Sequence, residues 1–386
     1  MRFELLKKDT QTHARRGRYR SAHGNFETPV FMPVGTQATV KAMRPDELKA
    51  MGAEIVLGNT YHLYLRPGHR VIEELGGLHR FMNWSGPILT DSGGYQVFSL
   101  AKMCKLTGDG VQFQSHLDGS RHLLTPELAI EIQEALGSDI MMVLDECLAY
   151  PATPETAEKS LRLSVAWAGR CREAKAKQEA SLFAIVQGGV YPELRRRCAE
   201  ELLDLEKRPR QDGLEATFDG MAIGGLSVGE PMPLAYEIVA GLTPELPENR
   251  PRYLMGVGMP EDLVTCIGLG IDMFDCVVPT RSARHGLLFT PHGRLYIKRA
   301  EFHRDGKPID ENCACYTCQN YSRAYLRHLS LSKEVLSAVL NTIHNLHYFL
   351  NLLGQARLAI EAGDYAGFQR RFFQEWQKGD HHVVES

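Results

Sequence analysis

The chain has 386 residues, of which 44% are hydrophobic and 24% charged, and a formal net charge of -3. These values are typical of a folded globular protein, and they argue against global disorder and against a chain that binds nucleic acid through its overall charge. No apolar signal-like segment follows the N-terminus and no run of about 18 apolar residues occurs, so neither a secretory signal nor a membrane span is expected. The nine cysteines do not form a disulfide framework, which favours a reducing cytoplasm.

Short apolar runs recur along the chain, with helix-like segments between most of them. Runs that are continuously apolar, rather than alternating, are typical of strands buried on both faces, as in a parallel sheet. The pattern predicts an α/β protein with a (β/α)8 TIM barrel, and an open doubly wound sheet is the alternative. The eight predicted strands are Val30–Gly35, Glu54–Thr60, Pro87–Ser92, Asp139–Asp145, Leu182–Gly188, Met221–Gly225, Tyr253–Gly258 and Met273–Val278. The predicted helices between them include Pro45–Met51, a helix opened by Thr125-Pro126-Glu127, Thr153–Lys177, Tyr191–Leu205 and Pro260–Gly268.

Two stretches interrupt this alternation. Ala101–Leu124 contains the alternating segment Val111–Ser115, which predicts a small antiparallel insertion. After Gly286 come a hairpin-like segment, a cysteine cluster and helical sequence to about Gly363. Arg208–Gly213 is expected to be an exposed loop.

The cysteine cluster Cys313-x-Cys315-x2-Cys318 places three soft thiolate ligands on a tight turn. A tetrahedral zinc ion needs a fourth ligand, which His344 or His347 could supply. Three cysteines with one histidine form a closed ligand set, so a structural zinc is favoured over a catalytic one. Three incidental buried thiols are the alternative. We therefore expect one elaborated barrel over residues 1–386, with a zinc-binding subdomain at 286–350 near the C-terminus.

Three aspartates lie at the ends of predicted strands: Asp91, Asp145 and Asp275. In a barrel of this kind the carboxyl ends of the strands form the active site. Carboxylates that converge there suit chemistry at an anomeric carbon, with one as nucleophile and one as general acid/base. The alternative is that each aspartate is a turn or helix-capping residue.

Glycine pairs follow three of the predicted strands, at Gly93-Gly94, Gly188-Gly189 and Gly224-Gly225. They allow the backbone to approach a flat ligand closely, and Gln187 could read a base edge through its amide. Ordinary strand-to-helix turns are the alternative. Residues 281–327 hold nine Lys/Arg and four Asp/Glu, a net charge of +5, which indicates either contacts with a phosphate backbone or a solvated surface.

Taken together, the motifs resemble those of the bacterial tRNA-guanine transglycosylases. They occur in the family's order and, with the cysteine cluster and His344, cover the chain from about Phe3 to Phe372. The matching motifs are Phe31–Thr36, Leu57–Leu63, Leu89–Val97, Asp145–Cys147, Val186–Gly188, Ile223–Leu226, Tyr253–Gly258 and Gly270–Cys276.

The resemblance implies an enzyme that exchanges guanine at the wobble position of tRNAs with GUN anticodons, the Tyr, His, Asp and Asn isoacceptors. The incoming base would be 7-aminomethyl-7-deazaguanine, the queuosine precursor, and the enzyme would act as a homodimer. Val228 matches bacterial members rather than the eukaryotic enzymes that use queuine. A non-catalytic RNA-binding subunit of the same fold is a further alternative, although it would be expected to lose the aspartates.

The resemblance also implies roles for individual residues. Asp275 would be the nucleophile at the ribose C1′, forming a covalent intermediate, and Asp91 the general acid/base. The residues expected to bind the base are Asp145, Gln187, Gly225, Leu226, Tyr95, Met255 and Cys147. Arg281 and Arg284 would contact RNA. The expected ligands of one structural Zn2+ per subunit are Cys313, Cys315, Cys318 and His344, which singles out His344 over His347.

Overall fold

The computed structural model describes residues 2–100, 103–213 and 217–378. The strands of this part of the chain are β1 (Phe3–Lys8), β2 (Arg15–Ser21), β3 (Gly24–Thr28), β4 (Val30–Gly35), β5 (Val56–Gly58), β6 (Ile88–Thr90), β7 (Cys104–Leu106), β8 (Val111–Gln114), β9 (Arg121–Leu124), β10 (Ile140–Met142), β11 (Ser181–Val186), β12 (Gly220–Ile223), β13 (Arg252–Leu254), β14 (Met273–Cys276), β15 (Leu287–Thr290) and β16 (Gly293–Tyr296).

The helices fill most of the connections between strands. They are α1 (Pro45–Ala50), α2 (Thr60–Leu65), α3 (His69–Glu74), α4 (Gly77–Phe81), α5 (Gly94–Leu100), α6 (Pro126–Leu136), α7 (Pro154–Ala174), α8 (Pro192–Glu206), α9 (Met232–Leu242), α10 (Pro260–Gly268), α11 (Val278–His285), α12 (Tyr316–Asn320), α13 (Arg323–Leu331), α14 (Val335–Ala362) and α15 (Tyr365–Trp376). Short 3-10 helices cover Thr243–Glu245 and Ala300–Arg304.

Eight parallel strands close into a barrel in the order β4-β5-β6-β10-β11-β12-β13-β14, with β14 pairing back to β4. These are the eight strands that the apolar runs predicted, so the (β/α)8 barrel is confirmed and the open sheet is wrong. Nearly every residue of these strands is buried, which explains why continuous rather than alternating apolarity marked them.

The predicted helices are also present. Thr125 caps α6, since its Oγ1 accepts a hydrogen bond from the Leu128 N–H at 3.1 Å and Pro126 occupies the first helical position. The alternating segment forms β8, the central strand of the antiparallel sheet β7-β8-β9. Two residues of the predicted insertion, 101 and 102, lie outside the described part of the chain. Arg210 departs from the expected exposed loop, because it is buried and donates to the Lys175 carbonyl at 2.6 Å.

A three-stranded antiparallel sheet, β1-β2-β3, precedes the barrel, and the sequence analysis did not predict it. Its buried Tyr19 packs against Phe183 of β11, and its buried Arg15 forms a two-pronged ion pair with Asp272 at 2.7 and 2.9 Å. Asp272 lies one residue before β14, so this sheet covers the amino end of the barrel. The carboxyl end of the barrel, where the predicted aspartates lie, is not covered by this sheet.

The C-terminal part begins with the predicted hairpin, β15 and β16, which follows α11 directly. The long helix α14 packs against the barrel through Phe349, whose ring lies 5.1 Å from that of Phe31 in β4 and 5.3 Å from that of Phe289 in β15. The buried Asn345 side chain donates to the carbonyl groups of Pro279 and Leu287. The hairpin and the cysteine-rich segment are therefore inserted in the chain between β14 and the long helix that packs on β4.

Candidate functional site

Three carboxyl groups meet at the carboxyl end of the barrel. Asp91 directly follows β6, Asp145 lies three residues beyond β10, and Asp275 is the third residue of β14. Their charges affect one another, because Asp275 contributes to raising the pKa of Asp91, and Asp91 to raising that of Asp145. The structure thus brings the three sequence-predicted acids together at the carboxyl end of the barrel.

Asp91 is buried and held by three donors. Its Oδ2 accepts hydrogen bonds from Asn59 Nδ2 at 2.5 Å and Gln96 Nε2 at 2.7 Å, and its Oδ1 accepts one from the Thr60 N–H at 2.8 Å. Burial outweighs these donors and raises the pKa of Asp91 to about 6, with the charge of Asp275 adding to the effect. A carboxyl group with this pKa can give up and take back a proton near neutral pH.

Asp275 is half-buried and asymmetrically bonded. Tyr253 Oη donates to its Oδ1 at 2.5 Å and the Gly256 N–H donates to the same oxygen at 2.8 Å. Burial raises the pKa of this carboxyl group, whereas the two donors favour its ionised form. Within the described part of the chain, Oδ2 has no hydrogen-bond donor, so one oxygen is fixed and the other is available to a ligand.

The base-binding candidates lie beside the acids at the carboxyl end of the barrel. Gln187 is buried, and its Nε2 donates to Asp145 Oδ2 at 2.6 Å. Burial raises the pKa of Asp145 to about 6. Gly225 has a φ of +62°, and a Cβ at this position would lie 2.4 Å from Gln187 Oε1. Glycine is therefore required here, because the Gln187 amide lies directly against the backbone of the turn after β12.

The remaining base-binding candidates follow the carboxyl ends of barrel strands as well. Cys147 is half-buried beside Asp145 and the Gly225 backbone, and burial, followed by the charge of Asp145, raises the pKa of its thiol to about 12. Leu226 is buried in the turn after β12, and Met255 follows β13 and is half-buried. Tyr95 is on α5 and is 54% exposed, so its ring is accessible to a ligand.

Two polar residues at this end were not singled out by the sequence analysis. Glu230 is buried and accepts hydrogen bonds from the backbone N–H groups of Ser227 and Val228, which shapes the turn that carries Leu226. Arg195 is fully buried on α8, and its acceptors among the described residues are all backbone carbonyl groups. Neither belongs to a recognisable short motif: the donors to Glu230 are backbone N–H groups of its own turn, and Arg195 reaches carbonyl groups 29 and 30 residues away, so the local pattern held no clear signal for either.

The arginines predicted to contact RNA lie on α11, immediately after Asp275. Arg281 is exposed, and Arg284 is half-buried and donates to the Thr280 carbonyl at 2.8 Å. Neither forms an ion pair within residues 2–100, 103–213 and 217–378. Elsewhere in the basic segment the charge is partly neutralised, since Arg294 pairs with Glu261 and Arg323 with Asp305.

The cysteine cluster meets a histidine of α14. His344 Nδ1 lies 3.3, 3.7 and 3.8 Å from the Sγ atoms of Cys318, Cys315 and Cys313, and all four residues are buried. His344 Nε2 lies 2.8 Å from the Phe289 carbonyl oxygen, to which it donates, so Nδ1 presents its lone pair to the three sulfur atoms. This closed group could hold a metal ion. His347 Nδ1 approaches the sulfur of Cys313 alone, at 3.5 Å, and is not part of the group.

A second group with potential metal ligands, two histidines and an aspartate, lies at the amino end of the barrel. His23 and His79 each hydrogen-bond a different oxygen of the buried Asp139, at 2.9 and 3.0 Å. Their rings stack with centroids 3.5 Å apart and planes at 19°. Because two stacked rings cannot both point an in-plane lone pair at one ion, we interpret this group as a hydrogen-bonded network.

Comparisons with known proteins agree with the geometry of the site. A sequence model of the family described as Queuine tRNA-ribosyltransferase matches residues 9–378. The chain is 55% identical to the queuine tRNA-ribosyltransferase of Caldanaerobacter subterraneus over 377 residues, which is 97% of this chain and 98% of the relative. It is 54% identical to the protein of the same name from Thermoanaerobacter pseudethanolicus, with the same coverage, and 54% identical to that from Syntrophobacter fumaroxidans over 97% of both chains.

The barrel, the three acids at its carboxyl end and the cysteine–histidine group that could hold a metal ion accompany a family match that shows a glycosyltransferase of the tRNA-guanine transglycosylase class. The chain belongs to the queuine tRNA-ribosyltransferase family, which acts in queuosine synthesis. This confirms the family and enzyme class that the sequence motifs predicted. None of the helices in the described part of the chain has the length and apolar character that a membrane span requires.

Proposed function

We propose that this enzyme exchanges guanine at the wobble position of tRNAs with GUN anticodons for 7-aminomethyl-7-deazaguanine, through a covalent intermediate on Asp275. The observation that carries the proposal is the bonding of this carboxylate. Two donors fix Oδ1, and in the described part of the chain Oδ2 has none, while the protonatable Asp91 lies close by. A fixed nucleophile beside a separate acid/base is the arrangement that a double displacement requires.

In the first displacement Asp275 Oδ2 attacks the ribose C1′ and the bond from C1′ to the base nitrogen breaks. The electron pair of that bond leaves with guanine, and the proton of Asp91 neutralises it. In the second displacement the ionised Asp91 takes the proton from the incoming base, whose nitrogen attacks C1′ and releases Asp275. Two inversions retain the stereochemistry at C1′, and the pKa of about 6 suits Asp91 to both steps.

Recognition of the base is assigned to Asp145 and Gln187, whose side chains hydrogen-bond each other. An ionised Asp145 can accept two hydrogen bonds, from the N1–H and the exocyclic amine of guanine or of its 7-deaza analogue. The Gln187 amide and the Gly225 N–H would read the other edge, and the Leu226 backbone would contact the aminomethyl group. Tyr95 and Met255 would sandwich the ring, with Cys147 beside it.

The RNA partner is assigned to the positive surface after β14. Arg281 and Arg284 lie on α11 next to the nucleophile and have no carboxylate partner in the described part of the chain, so their charges are available to phosphates. A guanine in an anticodon loop is unpaired, which lowers the cost of turning it into the pocket.

A homodimer is supported by large exposed apolar side chains on α12, α13 and α14, the helices around the cysteine cluster. They are Tyr316, Tyr325, Leu331, Val335 and Leu336, and Val335 is 79% exposed. A shared interface would remove such side chains from water. Light scattering coupled to size-exclusion chromatography tests the proposal, because a monomeric mass at micromolar concentration would contradict it.

We assign zinc to the Cys313, Cys315, Cys318 and His344 group as a structural ion. With Zn–S of about 2.3 Å and Zn–N of about 2.0–2.1 Å, a tetrahedral ion sets nitrogen and sulfur ligands about 3.6 Å apart. The three distances from His344 Nδ1, 3.3 to 3.8 Å, bracket that value. Three thiolates and an imidazole leave no open position, so zinc would join the cysteine segment to α14.

The decisive experiment is labelled-base exchange. Purified protein is incubated with a GUN-anticodon tRNA transcript and labelled guanine under zinc-replete conditions, and incorporation into RNA is measured. We expect incorporation by the wild type and none by Asp275→Asn; a wild type that incorporates no label would contradict the proposal and favour a non-catalytic subunit. Competition with unlabelled 7-aminomethyl-7-deazaguanine and with queuine then identifies the incoming base, and preferential inhibition by queuine would contradict its assignment.

A further inference from the structure

Arg195 occupies an unusual position for a charged residue. It lies in the first turn of α8 and is fully buried, with no exposed side-chain surface. Its Nε donates to the Gly189 carbonyl at 2.7 Å, one terminal nitrogen to the Val186 and Gly224 carbonyls at 3.1 and 2.9 Å, and the other to the Gly225 carbonyl at 3.1 Å.

Burying the Arg195 guanidinium in this way lowers the stability of the folded protein. Within the described part of the chain Arg195 has no ion-pair partner, and a buried cation without one depends entirely on its hydrogen bonds. Its position at a helix N-terminus, where the macrodipole disfavours positive charge, adds to the cost. Burial accordingly lowers the pKa of the guanidinium to about 10, which leaves it charged at neutral pH.

The four acceptors lie at the ends of two neighbouring strands, next to the proposed base-reading groups. Val186 is the last residue of β11 and Gly189 lies in the turn after it, so the two flank Gln187, and Gly224 and Gly225 form the turn after β12. The guanidinium therefore links the two turns by hydrogen bonds to their backbone carbonyl groups. A Cβ at Gly188 would come within 2.8 Å of the Arg195 backbone nitrogen, so a glycine there allows the close approach.

We propose that Arg195 is a positioning residue that sets the spacing between the Gln187 amide and the Gly225–Leu226 backbone, and thereby the affinity for the base. The inference rests on the proposed function, in which these groups read the base. Lysine cannot replace it, because an ammonium group is a compact point charge and lacks the planar fork that reaches acceptors on two turns at once.

The test compares Arg195→Lys with Arg252→Lys in the exchange assay. Arg252 is a matched control, since it is also buried and donates to backbone carbonyls, those of Leu246 and Gly270, but at the amino end of the barrel. We expect Arg195→Lys to raise the KM for the base by about tenfold or more, toward the roughly 100-fold loss that a misplacement of about 1 Å can cause. The KM for tRNA and the kcat at saturating base should change much less. Arg252→Lys should lower the melting temperature without changing the KM for the base.

The outcomes are separable. If the wild type exchanges base and folded Arg195→Lys keeps the KM for the base within about twofold, the positioning role is overturned and the proposed function stands. If the wild type exchanges no base, the proposed function itself fails. Should Arg195→Lys not fold, Arg195→Gln, which retains amide donors, is measured in its place. Failure of both to fold while Arg252→Lys folds would show a purely structural residue and overturn the inference.

Discussion

The buried carboxyl group of Asp145 allows the electrostatics of the site to be tested without substrate. The fold raises its pKa from 3.8 to about 6, mainly through burial and further through the charge of Asp91. The ionised form is therefore destabilised in the folded protein. Asp145→Asn removes the charge and keeps a side-chain oxygen that can accept the hydrogen bond from Gln187 Nε2.

The sign and size of the effect follow from proton linkage. Between pH 4 and 6 the folded protein holds a proton that the unfolded chain has already lost, so the free energy of unfolding falls as pH rises through this window. A pKa shift of about two units corresponds to about 3 kcal/mol at pH 8 and, since ionisation is incomplete, to about 1.5 kcal/mol at pH 5. The advantage of Asp145→Asn over the wild type should thus grow by about 1.5 kcal/mol between pH 5 and pH 8.

Urea unfolding followed by tryptophan fluorescence at the two pH values measures this growth. Any weakening of the hydrogen bond to Gln187 in the variant changes little with pH and cancels from the difference. Asp118→Asn is the control, because Asp118 is exposed and the hydrogen bonds from Ser120 lower its pKa to about 2. Its stabilisation is present above pH 4 and lost only as pH falls toward 2, so this variant should track the wild type from pH 5 to pH 8. A stability difference for Asp145→Asn that is the same at both pH values would refute the reasoning.

Three further substitutions test the rest of the site. Tyr253→Phe removes one of the two donors to the proposed nucleophile, Asp275. Since a hydrogen bond to a charged group contributes about 1.5–3 kcal/mol, this variant should lower kcat in the exchange assay by about tenfold or more and leave the KM for tRNA unchanged. An unchanged kcat would show that this donor is dispensable. Gly225→Ala should raise the KM for the base, because its Cβ would lie 2.4 Å from the Gln187 amide oxygen, while circular dichroism reports an intact fold. His344→Ala should lose bound zinc by elemental analysis and melt at a lower temperature, whereas His347→Ala should keep one zinc per subunit; equal zinc loss in both would contradict the ligand set.

The barrel could be predicted from sequence because its strands depend on burial alone. Continuous apolar runs such as Leu182–Gly188 contain their own evidence of two covered faces. The predicted runs extend past the observed strands where a buried acid follows, as at Asp91 and Asp145, because burial and strand pairing end at different residues. The convergence of the acids then follows from parallel strands that share one carboxyl end.

The N-terminal sheet could not be predicted in the same way. Strand β2 carries four arginines in seven residues, and its inward side contains Arg15 beside the apolar Tyr19. Arg15 can be buried only because Asp272 is there to meet it, 257 residues further along the chain. Arg195 presents the same difficulty, since its acceptors are carbonyl groups that any sequence offers and only the fold brings together.

Buried carboxylates have different partners at the two ends of the barrel. At the amino end Arg15 meets Asp272 directly, and the charges neutralise each other. At the carboxyl end, within the described part of the chain, Asp91, Asp145 and Asp275 have only neutral donors, and the buried Arg195 has only neutral acceptors. An ion pair between Arg195 and Asp145 would make both easier to bury, but it would lower the pKa of the acid and use the oxygens proposed to contact the base. Keeping these charges apart costs stability and leaves the acids free for the base binding and proton transfer proposed above.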